Sequence, residues 1–164
     1  MKSAVVFYSY DGNTRVAAKV IADRTDAGIF ELEEVKKRGR SVLSFIAAGF
    51  SAALGRESAL KDTFGDKLKR YDRIYIGTPV WAGKPAPAVN AFLNKAPLSG
   101  KEIILFTVQA DENPQAASLK CSGIMKSKLE EKGAAVKNVM RLRGEAPGKT
   151  VKIEEMQKQL GAYF

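Results

Sequence analysis

The chain contains no histidine and a single cysteine, Cys121, among its 164 residues. Histidine is the commonest general acid or base near neutral pH and the commonest metal ligand, so other residues would have to fill both roles in this chain. One cysteine forms neither an intrachain disulfide nor a cysteine-ligated iron–sulfur cluster. If the protein carries out redox chemistry, we therefore expect the electrons to reside on a bound cofactor.

The sequence also has no long hydrophobic run. No apolar stretch approaches the roughly 20 residues that are needed to cross a bilayer. The N-terminus leads directly into a strand-like run and lacks the layout of a signal peptide. We therefore expect no membrane span and a cytoplasmic location.

Acidic residues are fewer than basic ones. The chain has 18 Asp and Glu against 27 Lys and Arg, which gives a formal net charge of +9. A strongly basic protein attracts anionic partners. The charge alone leaves four kinds of partner open: nucleic acid, an anionic membrane surface, an acidic protein and a phosphorylated small molecule.

Strand-like and helical patterns alternate along the chain. Apolar runs typical of strands lie at 3–8, 27–32, 73–77, 102–108 and 135–142, and helical periodicity lies at 14–24, from near Ala86, at 117–132 and at 151–160. This alternation predicts parallel βαβ units in a single α/β domain over residues 1–164. The fifth strand-like run is less apolar than the others, which favours an edge position. Asn13 precedes the first helix and is the expected N-cap.

The segment between the second and third strands begins with a basic run and continues as an apolar helix. We interpret Lys36-Lys37-Arg38-Gly39-Arg40 as a solvated charge run, with a docking role as the alternative. The stretch SVLSFIAAGFSAALG that follows has apolar residues at helical spacing. We expect a helix that covers the sheet rather than a membrane anchor, and its face is also open to a dimer or another partner.

Three loops are expected at the ligand-binding edge of the sheet. In open parallel sheets, ligands bind at the carboxyl ends of the strands. This rule selects residues 9–14, 77–85 and 107–114 in the present chain.

The first of these loops, SYDGNT, has the composition of a phosphate site. It leads into a helix N-terminus, where unpaired N–H groups and the helix dipole favour an anion. Ser9, Asn13 and Thr14 add hydroxyl and amide donors, and Gly12 permits a close approach of the backbone. The loop matches neither GxxxxGK[ST] nor GxGxxG, which argues against ATP and against a dinucleotide.

The first and second loops together resemble the flavin loops of flavodoxins. Ser9-x-x-Gly12-Asn13-Thr14 follows the first strand, and IGTPVWAG at 76–83 is similar to the second flavin loop of short flavodoxin-like proteins. The resemblance covers essentially the whole chain. It implies a three-layer αβα sandwich whose five-stranded parallel sheet has the order 2-1-3-4-5. It also implies FMN as the cofactor, bound in the crevice between strands 1 and 3.

The resemblance further implies which residues bind the cofactor. The FMN phosphate would be surrounded by Ser9, Asp11, Gly12, Asn13 and Thr14, with Tyr10 either beside the ligand or on the surface. The isoalloxazine ring would be lined by Thr78, Pro79, Val80, Trp81, Ala82 and Gly83. The third loop, with Gln109, Ala110, Asp111 and Asn113, would close the other side of the ring. No catalytic residue and no metal ligand is implied.

Two features depart from the flavodoxin pattern. Position 11 is Asp, where flavodoxins usually have Ser or Thr, and a carboxylate repels a phosphate. Flavodoxin-like protoporphyrinogen oxidases also have Asp-Gly at this place, so the substitution is compatible with FMN. The third loop, QADEN, lacks the glycine-rich or aromatic pattern of many flavodoxins.

Two single residues have competing interpretations. Trp81 is either a core residue or a flavin contact, and its place in a loop at the ligand edge favours the flavin contact. Cys121 is expected to be a buried structural residue rather than a reactive thiol.

These features predict an FMN-binding protein that transfers electrons and meets an acidic redox partner. Such a carrier needs no side-chain acid or base, which agrees with the absence of histidine. One alternative is an FMN-dependent oxidoreductase that acts on a quinone, a porphyrinogen or NAD(P)H. Another is a non-redox module that has lost FMN and binds nucleic acid, although no basic motif interleaved with aromatic residues supports it. The net positive charge predicts that the bound flavin is a weaker reductant than the flavin of an acidic flavodoxin, provided that the charge lies near the isoalloxazine ring.

Overall fold

The computed structural model describes residues 1–36, 38–39, 42–110 and 115–164. The strands are β1 (Ser3–Phe7), β2 (Gly28–Glu31), β3 (Arg73–Trp81), β4 (Lys84–Pro85), β5 (Glu102–Gln109) and β6 (Ala135–Arg143). The helices are α1 (Asn13–Thr25), α2 (Val42–Ala53), α3 (Gly65–Leu68), α4 (Pro87–Lys95), α5 (Gln115–Glu131) and α6 (Ile153–Leu160). Strands and helices alternate as the sequence predicts, except that α2 is followed by the short helix α3 and β3 by the two-residue strand β4.

The main strands form one parallel sheet in the order β2-β1-β3-β5-β6. The two-residue strand β4 lies off this path and pairs antiparallel with the end of β3. Without β4, this order is the predicted 2-1-3-4-5, and the prediction is confirmed. The predicted edge position of the last strand is also confirmed, because β6 pairs with β5 alone.

Two apolar layers pack on the two faces of the sheet. Alternate residues of a strand point to opposite faces. Val6 therefore joins the core cluster that includes Phe92 of α4 and Met125 of α5, whereas Phe7 joins the cluster that includes Ile21 of α1 and Met156 of α6. The result is the three-layer αβα sandwich that the sequence predicts.

The single cysteine lies in the first of these core clusters. Cys121 is fully buried within α5, as predicted for a structural residue. Burial raises the pKa of its thiol from 9.0 to about 12, because the apolar surroundings disfavour the thiolate. The thiol is therefore protonated and inert at neutral pH.

The third strand is longer than the sequence predicts. It ends at Trp81 rather than at Gly77, and a turn at Ala82-Gly83 then returns the chain as β4. The pairing of β3 with β1 ends at Gly77, whereas Thr78 and Pro79 still pair with β5. Proline is tolerated where a strand has a free edge, so this extension loses no hydrogen bond to β1. Part of the predicted loop 77–85 is thus a β-hairpin.

The first helix begins differently from the prediction. Gly12 is the N-cap of α1, and Asn13 is the first residue of the helix, so the prediction that Asn13 is the N-cap is wrong. Gly12 has a φ of 95°, a left-handed conformation that glycine adopts without strain. The position of Asn13 inside the first turn directs its carboxamide to a distant loop, as described below.

The segment between β2 and β3 contains the predicted apolar helix, α2. The basic run that precedes it is not wholly solvated, because Arg38 is turned inward and hydrogen-bonds to Glu34. Lys37 and Arg40 of that run lie outside the described residues. Within the described part of the chain, no helix is long and apolar enough to cross a membrane.

Candidate functional site

The N-terminus of α1 supplies backbone donors at the carboxyl edge of the sheet. The Ser9 hydroxyl oxygen accepts hydrogen bonds from the N–H groups of Gly12 and Arg15, both at 3.2 Å. The N–H groups of Asn13 and Thr14 have no hydrogen-bond partner among the described residues. Two donors at a helix N-terminus are thus available to an anion.

The side chain of Asn13 is committed to the loop between β6 and α6. Its Oδ1 accepts hydrogen bonds from the N–H groups of Glu145, at 3.1 Å, and Val151, at 2.8 Å. Its Nδ2 donates to the carbonyl of Lys149 at 2.9 Å. A further hydrogen bond joins the loop between β6 and α6 to the loop before α1: the Thr150 hydroxyl donates to the Asp11 carbonyl at 2.6 Å. The amide that the sequence suggests as a phosphate donor therefore holds a loop in place.

These elements surround a cleft of about 140 Å³. Its walls come from the first loop and α1, from the end of β3, from the end of β5 and from the loop after β6. The lining residues are Tyr10, Asp11, Asn13, Thr14, Pro79, Val80, Trp81, Val108, Gln109, Ala110, Gly144, Glu145 and Pro147. The cleft therefore lies where the sequence predicts a ligand.

Most of the predicted site residues meet at this cleft. Nine of them are in its walls: Tyr10, Asp11, Asn13, Thr14, Pro79, Val80, Trp81, Gln109 and Ala110. Ser9, Gly12, Thr78, Ala82 and Gly83 are not among its lining residues. Asp111 and Asn113 lie outside the described residues. The assignment of all sixteen to a cofactor remains a prediction.

The residues that do not line the cleft have other contacts. Thr78 is fully buried, and its hydroxyl donates to the Pro79 carbonyl and accepts from the Ala86 N–H. Ala82 and Gly83 have φ values of 50° and 71°, as expected for the tight turn of a hairpin. Thr78 and the turn thus shape the wall formed by the end of β3.

Sequence reasoning missed the wall formed by the loop after β6. Val108, Gly144, Glu145 and Pro147 line the cleft, and none of them is among the predicted site residues. Three of them belong to the stretch Gly144-Glu145-Ala146-Pro147-Gly148. Glycine and proline directly after the last strand of a parallel sheet mark a loop at the ligand edge, and this signal was available.

Trp81 is held in the cleft wall by three neighbouring side chains. The rings of Tyr8 and Tyr10 meet the indole edge to face, with centroids 6.0 and 5.6 Å away. The guanidinium of Arg38 lies 5.7 Å from the centre of the indole ring. The Tyr10 hydroxyl donates to the carbonyl of Gly39, which adjoins Arg38. Trp81 is therefore buried, although it lines the cleft.

A buried carboxylate anchors this aromatic group. Glu34 Oε2 accepts a hydrogen bond from the Tyr8 hydroxyl at 2.9 Å, and both carboxylate oxygens accept from Arg38 Nε at 3.0 Å. The hydroxyl of Ser58 also donates to Glu34. Burial, together with the adjacent carboxylate, raises the pKa of Tyr8 well above its usual range. Tyr8 therefore stays a neutral hydrogen-bond donor.

The charged residues in the cleft walls are acidic. Asp11 and Glu145 line it, and no Lys or Arg is among the described lining residues. The described lining residues therefore contribute none of the chain's excess positive charge. The prediction of a weaker reductant required positive charge near the flavin ring, and it stays a prediction. Asp11 and Glu145 line the cleft, whereas Arg38 lies beside the wall residue Trp81.

Comparison with known proteins gives a family and a set of similar folds. The Flavodoxin domain family model matches residues 38–158. The crystal structure of a candidate flavoprotein from Bacteroides uniformis has a TM-score of 0.74 and 23% identity, covering 98% of this chain and 97% of that one. No curated protein sequence matches the chain.

Two further structures have the same fold at low sequence identity. The flavoprotein in complex with FMN from Lactobacillus acidophilus has a TM-score of 0.67 and 21% identity, covering 87% of this chain and 92% of that one. The two-electron reduced flavodoxin of Megasphaera elsdenii has a TM-score of 0.57 and 18% identity, covering 98% of each chain. Because the family model matches most of the chain and the sheet has the expected strand order, this protein belongs to the flavodoxin-domain family.

Proposed function

We propose that this chain binds FMN in the cleft and passes electrons between redox partners through the bound flavin. One observation carries the proposal: the N-terminus of α1, the end of β3 and the end of β5 converge on a single cleft at the carboxyl edge of the sheet. The family membership supports it, as does the FMN complex of the Lactobacillus acidophilus protein.

One end of the cleft has donors that fit a phosphate ester. The N–H groups of Asn13 and Thr14 would bind phosphate oxygens, and the Thr14 hydroxyl adds a third donor. The Ser9 hydroxyl accepts two hydrogen bonds, which leaves its own O–H to donate. All four donors are neutral, so this set does not depend on pH.

The other end of the cleft fits a flat ring. Pro79, Val80, Trp81 and Ala110 present mainly apolar surface there, as ligand pockets usually do. At about 140 Å³, the described walls enclose only part of FMN, because sites for ligands of this size usually measure roughly 300–1,000 Å³. Residues 111–114, which follow Ala110 directly, lie outside the described residues.

The protein would supply binding and orientation, and FMN would supply the redox chemistry. The Asn13 carboxamide holds the 144–151 loop against the phosphate end. Trp81, fixed by Arg38 and the two tyrosines, would exclude water from the ring end. The Ser118 hydroxyl donates to Gln109 Oε1 at 3.1 Å, which fixes that side chain and leaves its NH₂ group to donate. None of these roles requires a side chain that gains or loses a proton during the reaction.

The partner that we favour for this carrier is an acidic redox protein. A net charge of +9 attracts an acidic surface and raises the rate of encounter, an effect that weakens as salt is added. The transfer rate to an acidic carrier should therefore fall with ionic strength. A rate that does not depend on salt would count against this partner.

The cofactor is tested by titrating the apoprotein with FMN and, separately, with riboflavin, which lacks the phosphate. We expect FMN to bind more tightly than riboflavin and Thr14→Val to weaken FMN binding alone. Thr107→Val is the matched control, because Thr107 is fully buried and does not line the cleft. Equal affinity for both flavins, or no binding of either, would overturn the proposal.

A second function is favoured by a second cavity. About 260 Å³ in volume, it adjoins the cleft and shares Tyr10 with it. Its walls include Arg15 and Arg38, paired with Glu31 and Glu34. Such a cavity would hold a small polar substrate and make the protein an FMN-dependent oxidoreductase. Steady-state turnover of NAD(P)H with a quinone, in the absence of any carrier protein, would favour this function over electron transfer.

A further inference from the structure

The helix α2 presents aliphatic side chains to solvent. Leu43 is 79% exposed and Ile46 62% exposed, and Leu54, just beyond the helix, is 52% exposed. Leu43 and Ile46 share one face of the helix because they are three residues apart, and Leu54 directly follows its last residue. Helix α2 contains no charged residue, whereas a surface helix normally has a polar outer face. An exposed aliphatic face of this kind marks an interaction site.

The charge around this face indicates what it contacts. From residue 35 to residue 56, the sequence contains five Lys or Arg residues and no Asp or Glu. Lys36 before the helix and Arg56 after it are exposed, whereas Arg38 is turned inward to Glu34. The surface therefore combines aliphatic side chains with a basic segment before the helix. After the helix, exposed Arg56 is followed directly by exposed Glu57.

We propose that α2 docks on an anionic lipid bilayer, with Leu43, Ile46 and Leu54 entering the headgroup region and the flanking cations meeting lipid phosphates. Apolar side chains flanked by Lys and Arg are the features of a helix that lies in the membrane interface. A second copy of this chain fits less well. A symmetric dimer through this face would bring two identical positive surfaces together.

Docking through α2 would place the bilayer beside the wall of the cleft. The Lys84 ammonium of the β3–β4 hairpin donates to the carbonyl of Ala53 in α2. Just before the helix, Arg38 lies over Trp81 and Gly39 accepts a hydrogen bond from Tyr10. Residues at both ends of α2 therefore contact residues of the cleft wall or of the hairpin that continues it. The docking itself does not require bound flavin, so it can fail or succeed independently of the proposed function.

Vesicle co-sedimentation of the full chain tests the proposal. The two vesicle types are phosphatidylcholine alone and equimolar phosphatidylcholine and phosphatidylglycerol. We expect binding to the anionic vesicles, weaker binding to the neutral ones, and a loss of affinity as salt is added. The double variant L43S/I46S should lose about tenfold or more in affinity for the anionic vesicles.

The matched control is the double variant L119S/I153S. Leu119 on α5 and Ile153 on α6 are also exposed aliphatic residues, at 52% and 43%, and their replacement should leave vesicle binding unchanged. The variant K36Q/R56Q tests the charges separately and should weaken binding to anionic vesicles alone. Because all of these side chains are exposed, urea unfolding should show wild-type stability in each variant.

Three results would overturn the proposal. The first is no binding of the wild-type chain to anionic vesicles. The second is undiminished binding by both L43S/I46S and K36Q/R56Q. The third is a dimer in gel filtration that L43S/I46S abolishes while vesicle binding persists, which would assign the aliphatic face to a second copy of the chain.

Discussion

The Oδ1 atom of Asn13 accepts a hydrogen bond of 2.8 Å from the N–H group of Val151, 138 residues further along the chain. The same oxygen accepts from Glu145, and the amide nitrogen donates to Lys149. A single side chain in the first turn of α1 thus holds the loop between β6 and α6 against the α1 end of the cleft.

Replacement of Asn13 by alanine should loosen the 144–151 loop. Two backbone N–H groups and two carbonyls, those of Lys149 and Glu145, lose their partner. Each lost hydrogen bond costs about 1 kcal/mol. We expect urea unfolding at lower concentration, faster hydrogen exchange in the loop and weaker FMN binding. Asn138→Ala is the matched control, because Asn138 is exposed on β6 and, among the described residues, its side chain accepts a hydrogen bond only from the adjacent Val139 N–H. Equal exchange rates in the two variants would contradict the role of Asn13.

Removal of the carboxylates that line the cleft should strengthen FMN binding. Asp11 and Glu145 both line the walls, and a negative charge there repels a phosphate. Asp11→Asn and Glu145→Gln should each raise the FMN affinity, by about tenfold at most at low salt, with a smaller gain at high salt. Asp23→Asn, at the exposed far end of α1, serves as the control. Unchanged FMN affinity in both cleft variants would show that neither carboxylate acts on the phosphate.

Replacement of Arg38 by alanine should destabilise the fold and expose the indole of Trp81 to more solvent. Glu34 and Arg38 form an ion pair whose side chains are only 5% and 19% exposed, so the change leaves a buried carboxylate without its partner. Loss of a buried partner costs about 3 kcal/mol, measured by urea unfolding. Trp81 is the chain's one tryptophan, so its emission should shift to the red.

The control for Arg38 is the exposed ion pair between Lys61 and Glu33. Lys61→Ala should cost about 1 kcal/mol or less and leave the tryptophan emission unchanged, because exposed pairs contribute little. A similar loss of stability in both variants would show that burial of Glu34 does not matter.

Stability should fall with rising pH above about 9, in part because of Cys121. The folded protein keeps this thiol protonated up to a pKa of about 12, whereas the unfolded chain releases the proton near 9.0. In that window the unfolded state binds fewer protons, so stability declines by at most about 1.4 kcal/mol per pH unit from this group. Cys121→Ala should flatten the decline, as measured by urea unfolding over roughly pH 8 to 11. Identical slopes in the two proteins would contradict a shifted thiol.

The sheet and its order were predictable because local signals agree with the fold. The residues of β1 alternate between the two core clusters, and the helices that follow carry matching apolar faces. The ligand edge followed from the same regularity, because the predicted loops 9–14 and 107–114 lie at the carboxyl ends of the buried strands β1 and β5. The structure extends β5 to Gln109, so the second of these loops begins later than predicted.

The parts that were missed depend on contacts between distant residues. The 144–151 loop reaches the cleft because Asn13 holds it, and no local pattern encodes a bond across more than a hundred residues. Arg38 belongs to a basic run, and only the fold shows that Glu34 turns it inward. The sequence predicts a third strand that ends at Gly77, whereas β3 continues to Trp81. Pro79 is compatible with this extension because it pairs with β5 and not with β1.

The bonds between Asn13 and residues 145–151 also bear on the synthesis of the protein. On a ribosome the N-terminal part of a chain emerges first, so the first loop and α1 are exposed long before the loop that they bind. The pocket's far wall is absent until Val151 has been translated and released from the exit tunnel. Completion of the cleft therefore waits for the residues that follow β6.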